Sequence, residues 1–274
     1  MENRRTILIT GTSSGIGRST AIKFQKEGWN VVATMRSPEK ESELDKLENV
    51  MVTKLDVQDT KSVEAAVKLG IERFGSIDTL VNNAGFAVFG AFEMATQEQL
   101  ERIFEVNIYG PMRVTKALLP HMRSLKKGTI INITSQGGRI TFPTCSLYHA
   151  SKFAMEGFTE SLAYELIPFG IRTKIIEPGS TETRFVGSAE LTETEDEIYD
   201  RFIKTGLGNW ARYDTMASTP EQIAETIYKA ATDKNDTLRY RSGEDTEFYF
   251  EKRQALEDQE YVDFMRKRFI PEYL

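Results

Sequence analysis

The sequence predicts a doubly wound α/β fold, in which a parallel sheet of about seven strands is flanked by helices on both faces. Three observations predict this fold. The length of 274 residues suits a single domain, residues 1–274. Short β-branched runs alternate with longer amphipathic stretches, as strand-helix-strand units require. A glycine-rich turn directly follows the first apolar run, where such folds bind their ligands.

Seven short apolar runs are predicted as strands, because each is rich in β-branched residues and is bounded by polar or glycine-containing segments. In chain order they are residues 6–10, 30–35, 50–55, 79–82, 128–134, 172–177 and 237–241. Ligands of open α/β sheets bind beyond the carboxyl ends of the strands. Functional side chains are therefore expected in the loops that follow these runs.

Longer stretches between the strands show the amphipathic pattern of helices. In chain order they are residues 15–27, 39–48, 60–74, 96–126, 147–169 and 220–232. A long irregular insertion of about residues 180–219 carries an acidic segment; it is either a substrate loop, as its length favours, or a solvated acidic helix. A helical tail of about residues 245–274 is expected to pack on this body or on a partner subunit.

The composition excludes several classes of protein. A net charge of -6 and a pI near 5.3 argue against nucleic acid as a partner, because phosphate backbones require clustered Lys and Arg. No apolar stretch approaches the roughly 18 residues that a membrane span needs. Too few residues precede Gly11 to form the apolar core of a secretion signal. A cytoplasmic protein without membrane contact is predicted.

The few residues suited to metal binding are scattered. Cys145 is the single cysteine, and the two histidines are His121 and His149. They show no metal-ligand spacing, so no metal is expected. Each histidine is predicted to be a packing or surface residue, and Cys145 an inert buried thiol.

The glycine turn has the sequence G-T-S-S-G-I-G at residues 11–17 and lies between the first strand and a helix. Glycines let a backbone turn tightly and approach a pyrophosphate, whose charge the free N–H groups of the following helix meet. The spacing G-x-x-x-G-x-G differs from the common G-x-G-x-x-G, so an ordinary strand-to-helix turn is the alternative.

This turn resembles that of the classical short-chain dehydrogenases/reductases, and later segments agree with the resemblance. Asn82-Asn83-Ala84-Gly85 is similar to the N-N-A-G element of that family. Tyr148 and Lys152 form its Y-x-x-x-K pattern, and Ser135 precedes the tyrosine by thirteen positions. Pro178-Gly179 follows the sixth predicted strand. The resemblance implies a Rossmann-type domain and a nicotinamide-dependent oxidoreductase, and the glycine turn is similar to that of the hydroxysteroid-dehydrogenase branch.

The spacing of the motif residues predicts which of them take part in catalysis. Tyr148 and Lys152 are four residues apart and share one face of a helix. The lysine charge is expected to lower the phenol pKa from about 10 toward 7, so that Tyr148 exchanges the substrate proton. Ser135 ends a strand and is expected to hydrogen-bond the substrate oxygen. By resemblance, Asn107 is the fourth catalytic residue and holds a water that connects Lys152 to solvent.

The resemblance also assigns cofactor contacts along the chain. Asp56 and Val57 should contact adenine, Asn83 to Gly85 the ribose, and Thr181 with Thr183 the nicotinamide. The full set of cofactor-binding residues expected is Gly11, Thr12, Ser13, Ser14, Gly15, Ile16, Gly17, Arg36, Asp56, Val57, Asn83, Ala84, Gly85, Tyr148, Lys152, Pro178, Gly179, Thr181 and Thr183.

NADP(H) is favoured over NAD(H), because Arg36 stands where an acidic residue would repel a 2′-phosphate. The hydroxyls of Thr12, Ser13 or Ser14 are expected to assist. An ordinary exposed Arg36, in a protein that accepts both cofactors, is the alternative.

Apolar and aromatic residues surround the predicted reaction point, which favours an uncharged ketone, aldehyde or secondary alcohol. They are Phe86, Val88, Phe89, Phe142, Cys145, Phe185, Trp210 and Tyr213. A dinucleotide-binding redox sensor without turnover is the alternative function, although such a protein should lack the proton-transfer group. An epimerase or dehydratase should carry a different glycine turn and a larger carboxy-terminal domain.

A homodimer or homotetramer is expected, since the helices predicted at 96–126 and 147–169 are the usual contact faces in similar proteins. Small or apolar residues on the second helix could allow close packing. They are Ala154, Gly157, Ala163 and Leu166.

Overall fold

The computed structural model describes residues 4–213 and 216–274, apart from the side chains of Arg184, Val186 and Tyr213. The strands in chain order are β1 (Thr6–Thr10), β2 (Asn30–Met35), β3 (Val50–Lys54), β4 (Thr79–Asn82), β5 (Val88–Phe89), β6 (Gly128–Ile133), β7 (Ile171–Pro178), β8 (Glu190–Leu191) and β9 (Arg239–Ser242). The helices are α1 (Gly15–Lys26), α2 (Thr60–Phe74), α3 (Gln97–Phe104), α4 (Gly110–Leu125), α5 (Ser146–Leu166), α6 (Arg184–Gly187), α7 (Glu197–Tyr213), α8 (Pro220–Thr232), α9 (Glu244–Ala255) and α10 (Asp258–Phe269).

Seven of these strands form one parallel sheet in the order β3-β2-β1-β4-β6-β7-β9, which confirms the predicted fold class. The chain winds outward in one direction from β1 to β3 and in the other from β4 to β9. A crevice therefore opens beyond the carboxyl ends of β1 and β4, where the order reverses.

Two hydrophobic cores cover the two faces of the sheet. Side chains alternate along β1, so that Ile7 and Ile9 pack with Phe24 of α1 on one face. Leu8 points to the other face and packs with Leu118 of α4. These five side chains are fully buried. Each central strand is apolar on both faces, which explains why the strands were recognisable as nearly continuous apolar runs.

The helix predicted over residues 39–48 is wrong. Only two single 3₁₀ turns form there, at Pro38–Lys40 and Leu44–Lys46. The carboxylate of Glu41 accepts hydrogen bonds from the backbone N–H groups of Ser42, Glu43 and Leu44 at 2.9–3.1 Å. A side chain that takes these donors replaces the first turn of a helix.

The helix predicted over residues 96–126 is divided. α3 and α4 are joined by a π-helical turn at Glu105–Tyr109, which contains Asn107. Single π turns inside helices are rare and frequently lie at functional sites. The short strands β5 and β8, which pair with each other beside the cleft, were not predicted.

Candidate active site

One cleft of about 590 Å³ lies at the carboxyl edge of the sheet, where the sequence predicts the site. Among the described residues, it brings together most of the predicted site residues. Those that line it are Gly11, Ser13, Ser14, Gly15, Ile16, Arg36, Asp56, Val57, Asn83, Ala84, Gly85, Ser135, Tyr148, Lys152, Pro178, Gly179, Thr181 and Thr183. Three predicted residues, Thr12, Gly17 and Asn107, do not line it.

The glycine turn is tight, and glycine is required at several of its positions. Gly11 and Gly15 have φ angles of +74° and +56°, a region that favours glycine. A Cβ on Gly17 would lie 2.4 Å from the carbonyl oxygen of Gly11, so only glycine fits this close approach. Asn83 donates hydrogen bonds to the carbonyl oxygens of Thr10 and Gly11 at 2.8 and 3.1 Å. The turn is thereby fixed at the start of α1, where unpaired N–H groups can meet an anion.

Thr12 departs from its predicted role. Its side chain is fully buried, and its hydroxyl donates a hydrogen bond to the carbonyl oxygen of Thr34 at 3.2 Å. It therefore anchors the glycine turn to β2 and is not placed to hold a phosphate. Ser13 and Ser14 line the cleft and keep that possibility. Gly17 acts beneath the turn, through its close approach to Gly11.

Arg36 is exposed at the end of β2 and lines the cleft. Among the residues described, the acids that line this cleft are Asp56 and Glu190. The carboxylate of Glu41, five residues after Arg36 in the chain, is bound by the guanidinium of Arg18 at 2.7 Å. This arginine, with the backbone N–H groups of Leu44 and Glu43, holds the Glu41 pKa at about 2. Arg36 therefore supplies a positive charge to an edge of the cleft that Asp56 also lines.

Tyr148 and Lys152 lie one turn apart on α5. Lys152 is buried, and its ammonium group donates a hydrogen bond to the carbonyl oxygen of Ile133 at 3.0 Å. Burial lowers the pKa of Lys152 to about 8, an effect that the charge of Glu156 opposes. Burial also raises the pKa of Tyr148 to about 12, although the hydrogen bond with Ser135 acts in the opposite direction. The expectation that Lys152 brings the phenol pKa toward 7 is wrong for the protein alone.

Ser135 follows β6 and faces the tyrosine. Its hydroxyl oxygen accepts a hydrogen bond from the N–H of Gly137 at 3.0 Å, which begins a short 3₁₀ turn. The same hydroxyl donates to the carbonyl oxygen of Pro178 at 3.5 Å and lies near enough to the Tyr148 phenol to act on its pKa. Two hydroxyl groups therefore converge on one point of the cleft, as a substrate carbonyl oxygen requires.

Asn107 is buried beneath the cleft. Its amide donates hydrogen bonds to the Phe86 carbonyl oxygen at 2.9 Å and the Ser151 hydroxyl at 3.1 Å, and its oxygen accepts from the Phe86 N–H at 3.1 Å. Ser151 in turn donates to the backbone carbonyl of Tyr148 at 2.7 Å. Both amide hydrogens are thus used within the protein. Asn107 ties the segment after β4 to the helix that carries Tyr148, and its role in holding a water stays a prediction.

His149, predicted to be a packing or surface residue, is hydrogen-bonded through both ring nitrogens. Its ring is buried, with Nδ1 2.7 Å from the carbonyl oxygen of Gly137 and Nε2 accepting from the N–H of Phe142 at 2.8 Å. These bonds require the neutral ring with its proton on Nδ1. Burial lowers the pKa of His149, so this form is favoured. His149 fixes the loop between Ser135 and Tyr148.

One end of the cleft is aromatic, as predicted. Phe89, Phe142, Cys145, Phe185 and Trp210 line it together with Phe86. Burial raises the pKa of the Cys145 thiol to about 12, consistent with an unreactive thiol.

Two expectations for this end of the cleft do not stand as stated. Val88 does not line the cleft but packs with Ile103 and Leu147. The side chain of Tyr213 lies outside the described residues. Sequence reasoning missed Arg102 and Glu190, which pair with each other and line the cleft, because they come from α3 and β8.

The carboxy-terminal helices pack on the body of the same chain. Tyr249 of α9 and Phe269 of α10 contact Phe142 edge-to-face, with ring centres 5.2 and 5.5 Å apart. Trp210 of α7 packs against the same cluster. The tail and the insertion therefore support the aromatic wall of the cleft from behind.

Among the described residues, no three His, Cys, Asp or Glu side chains are grouped so as to hold a metal ion. No helix in residues 4–213 and 216–274 has the length and apolar character needed to cross a membrane.

Comparison with known proteins identifies the family. The family model described as short chain dehydrogenase matches residues 5–194. The chain is 39% identical over 237 residues to an uncharacterised oxidoreductase of Schizosaccharomyces pombe, covering 85% of this chain and 99% of that protein. It is 36% identical over 240 residues to a 3-ketodihydrosphingosine reductase of Bacteroides thetaiotaomicron, covering 86% and 87%. It is 34% identical over 254 residues to human 17-beta-hydroxysteroid dehydrogenase type 1, covering 86% and 77%.

Comparison with solved structures supports the same family. A short-chain dehydrogenase from Streptomyces avermitilis has a TM-score of 0.82 and 33% identity, and the match covers 93% of this chain and 95% of that one. ElxO with NADP bound has a TM-score of 0.73 and 28% identity, covering 87% and 97%. This chain belongs to the classical short-chain dehydrogenase family. It is an oxidoreductase that acts with a nicotinamide dinucleotide, as its site geometry and family indicate.

Proposed function

We propose that the protein is an NADP(H)-dependent carbonyl reductase, or the corresponding alcohol dehydrogenase, for an uncharged and largely apolar substrate. The observation that carries this proposal is the meeting of Ser135 and Tyr148 at the aromatic end of a cleft whose other end is the glycine turn. When bound, the dinucleotide supplies or accepts the hydride. The protein residues have to orient the carbonyl group and exchange its proton.

Tyr148 is the proposed general acid. Its pKa of about 12 keeps the phenol protonated at neutral pH, which is the form that donates a proton to a developing alkoxide. Ser135 donates a second hydrogen bond to the same substrate oxygen. The positive charge of Lys152 stabilises the phenolate that remains after proton transfer.

NADP(H) is the proposed cofactor because of the charge around Arg36. The guanidinium lies at the edge of the cleft, and planar guanidinium groups bind phosphate well. ElxO, which binds NADP, has the same fold. Ser13 and Ser14 are proposed to add hydrogen bonds, whereas Thr12 is not.

An apolar substrate is proposed from the lining of the cleft. Phe89 packs edge-to-face with Tyr148 and Trp210, with ring centres 6.0 and 5.5 Å apart. Two relatives have names that refer to a ketodihydrosphingosine and a hydroxysteroid. These names support a ketone or secondary alcohol attached to a large apolar body.

A homo-oligomer is proposed from the exposed side of α5. Phe153 and Tyr164 on α5, and Ile167 directly after it, are 44%, 67% and 70% exposed, and a Cβ on Gly157 would meet nothing within 4 Å. Leu166 does not belong to this surface, because it is buried in the core. Light scattering on the purified protein distinguishes a dimer or tetramer from a monomer.

A panel of ketones and aldehydes tests the reaction. Each compound is mixed with NADPH or NADH at saturating concentration, and the loss of nicotinamide absorbance is followed. Turnover of apolar carbonyl compounds, faster with NADPH, is expected. Tight cofactor binding without turnover of any compound, in either direction, would favour a redox sensor instead.

A further inference from the structure

A buried carboxylate joins two loops of the active site from outside the predicted motifs. Asp245 is the second residue of α9 and is 4% exposed. Its Oδ2 accepts a hydrogen bond from the side-chain amide of Gln136 at 2.9 Å and from the backbone N–H of Ser180 at 2.7 Å. Gln136 follows Ser135 directly, and Ser180 follows Gly179. One oxygen atom therefore bridges the loops after β6 and β7.

The surrounding backbone leaves room for this carboxylate. A Cβ on Gly179 would lie 2.0 Å from Oδ1 of Asp245, and one on Gly243 would lie 2.6 Å from the same oxygen. Gly243 also has a φ angle of +125°, which favours glycine. The Asp245 carboxylate therefore occupies space that a side chain at either glycine would fill. Two glycines from different segments make room for it.

We propose that Asp245 is a positioning residue of the active site, which holds Ser135 in register with the loop that carries Thr181 and Thr183. This inference rests on the proposed function. The charge-assisted hydrogen bonds of a buried carboxylate are short and directional, so they fix both loops relative to one another. The carboxy-terminal helices would then contribute to catalysis, in addition to supporting the aromatic wall.

The proposed proton transfer depends on the exact position of the Ser135 hydroxyl. The Ser135 hydroxyl has to lie within hydrogen-bond distance of the same substrate oxygen as Tyr148. A displacement of about 1 Å at a reacting centre can cost on the order of 100-fold in rate. Without Asp245, the loops after β6 and β7 lose their shared hydrogen-bond acceptor. Their relative position would then fluctuate even if the protein stays folded.

The experiment compares Asp245→Ala and Asp245→Asn with the control Glu244→Gln, which removes the charge of an exposed neighbour on α9. Asp245→Ala is expected to lower kcat by roughly 10-fold to 100-fold at a temperature where the variant is folded. Asp245→Asn keeps one oxygen that can accept both bonds, so most of the rate should return. Glu244→Gln should match the wild type.

Amide hydrogen exchange supplies a readout that does not require activity. Asp245→Ala should accelerate exchange at residues 135–138 and at 179–183. Gln136→Met, which removes one bond and keeps Asp245, should accelerate exchange at 135–138 alone, and it serves as the test if Asp245→Ala fails to fold. Unchanged exchange in these variants would overturn the proposal. If the wild type turned over no substrate while exchange increased as described, the proposed function would fail and the positioning role would stand.

Discussion

The ammonium group of Lys152 lies 5.8 Å from the centre of the Tyr148 ring and donates a hydrogen bond to Ile133, which ends β6 two residues before Ser135. This contact fixes α5 against β6, so that tyrosine and serine reach one point. Burial sets the pKa values of the two side chains at about 8 for Lys152 and about 12 for Tyr148. At neutral pH the phenol is protonated and the lysine is mostly charged. The pair is therefore prepared to donate a proton and to stabilise the resulting phenolate.

Replacement of the tyrosine tests the acid role. Tyr148→Phe keeps the ring and its contact with Phe89 but removes the hydroxyl, so turnover should fall by on the order of 100-fold or more. The affinity for NADPH, measured by the change in nicotinamide fluorescence, should stay within a few-fold of the wild type. A variant with near-normal turnover would remove Tyr148 from this role.

Ser135 is expected to stabilise the substrate oxygen. Ser135→Ala should lower kcat by roughly 10-fold to 1,000-fold, because one donor to the developing oxyanion is lost. Steady-state kinetics with the best ketone of the panel measures this effect, and NADPH affinity should change little. Since the Ser135 hydroxyl also accepts from Gly137, Ser135→Thr is the matched variant that keeps the hydroxyl. An unaffected rate in Ser135→Ala would contradict the assignment.

The lysine pKa predicts how the rate depends on pH. Lys152 loses its positive charge as the pH rises through about 8, so kcat/KM for reduction should fall above that pH. The charge of Glu156 raises the Lys152 pKa. Glu156→Gln should therefore lower this pKa and move the alkaline limb to lower pH, by about half a unit or more.

Glu160 provides the control for this pH profile. It lies one helical turn beyond Glu156 and shares the same partner, Arg239, at its surface end. Glu160→Gln should leave the alkaline limb where it is in the wild type. Equal profiles in all three proteins would show that Glu156 does not act on Lys152.

Cofactor preference should depend on Arg36. Arg36→Asp replaces a phosphate-binding cation by an acid, so the ratio of kcat/KM for NADPH over NADH should fall by roughly 10-fold or more. Lys40→Asp makes a matched charge change at a nearby exposed residue that does not line the cleft, and it should keep the wild-type ratio. If both variants keep that ratio, Arg36 is an ordinary surface arginine.

Much of the site could be predicted because parallel strands place successive loops at one edge of the sheet. The glycine turn, Asn83, Ser135 and Tyr148 each follow a strand or begin a helix, so local pattern was enough to bring them together. The predicted fold class followed from the same alternation of strands and helices. These features depend on short segments whose residues contact each other through the regular geometry of the sheet.

Other features depend on contacts that no local pattern records. Asp245 is 109 residues from Gln136, and its hydrogen bond depends on how the last helices return to the sheet. The π turn at Asn107 has the apolar spacing of an ordinary helix, so periodicity could not reveal it. The prediction for the Tyr148 pKa was wrong because the sequence indicates the nearby Lys152 charge but not the burial of Tyr148. This burial has the largest effect on the pKa.

A buried carboxylate behind the site predicts a pH-dependent stability. Glu177 of β7 is fully buried, its oxygens have no hydrogen-bond partner among the described residues, and Arg239 and Arg139 lie 3.6 and 3.8 Å away. Burial and the charge of Glu156 raise its pKa from 4.5 to about 7. The folded state therefore binds this proton more tightly, so stability is fully present below pH 4.5 and is lost as the pH rises through 7. Glu177→Gln removes this titration. From pH 4.5 to pH 8, its free energy of unfolding in urea should rise relative to wild type by about 1 to 3 kcal/mol, whereas the exposed-site control Glu182→Gln should show no such rise. A difference between Glu177→Gln and wild type that is the same at both pH values would show that Glu177 does not titrate in this range.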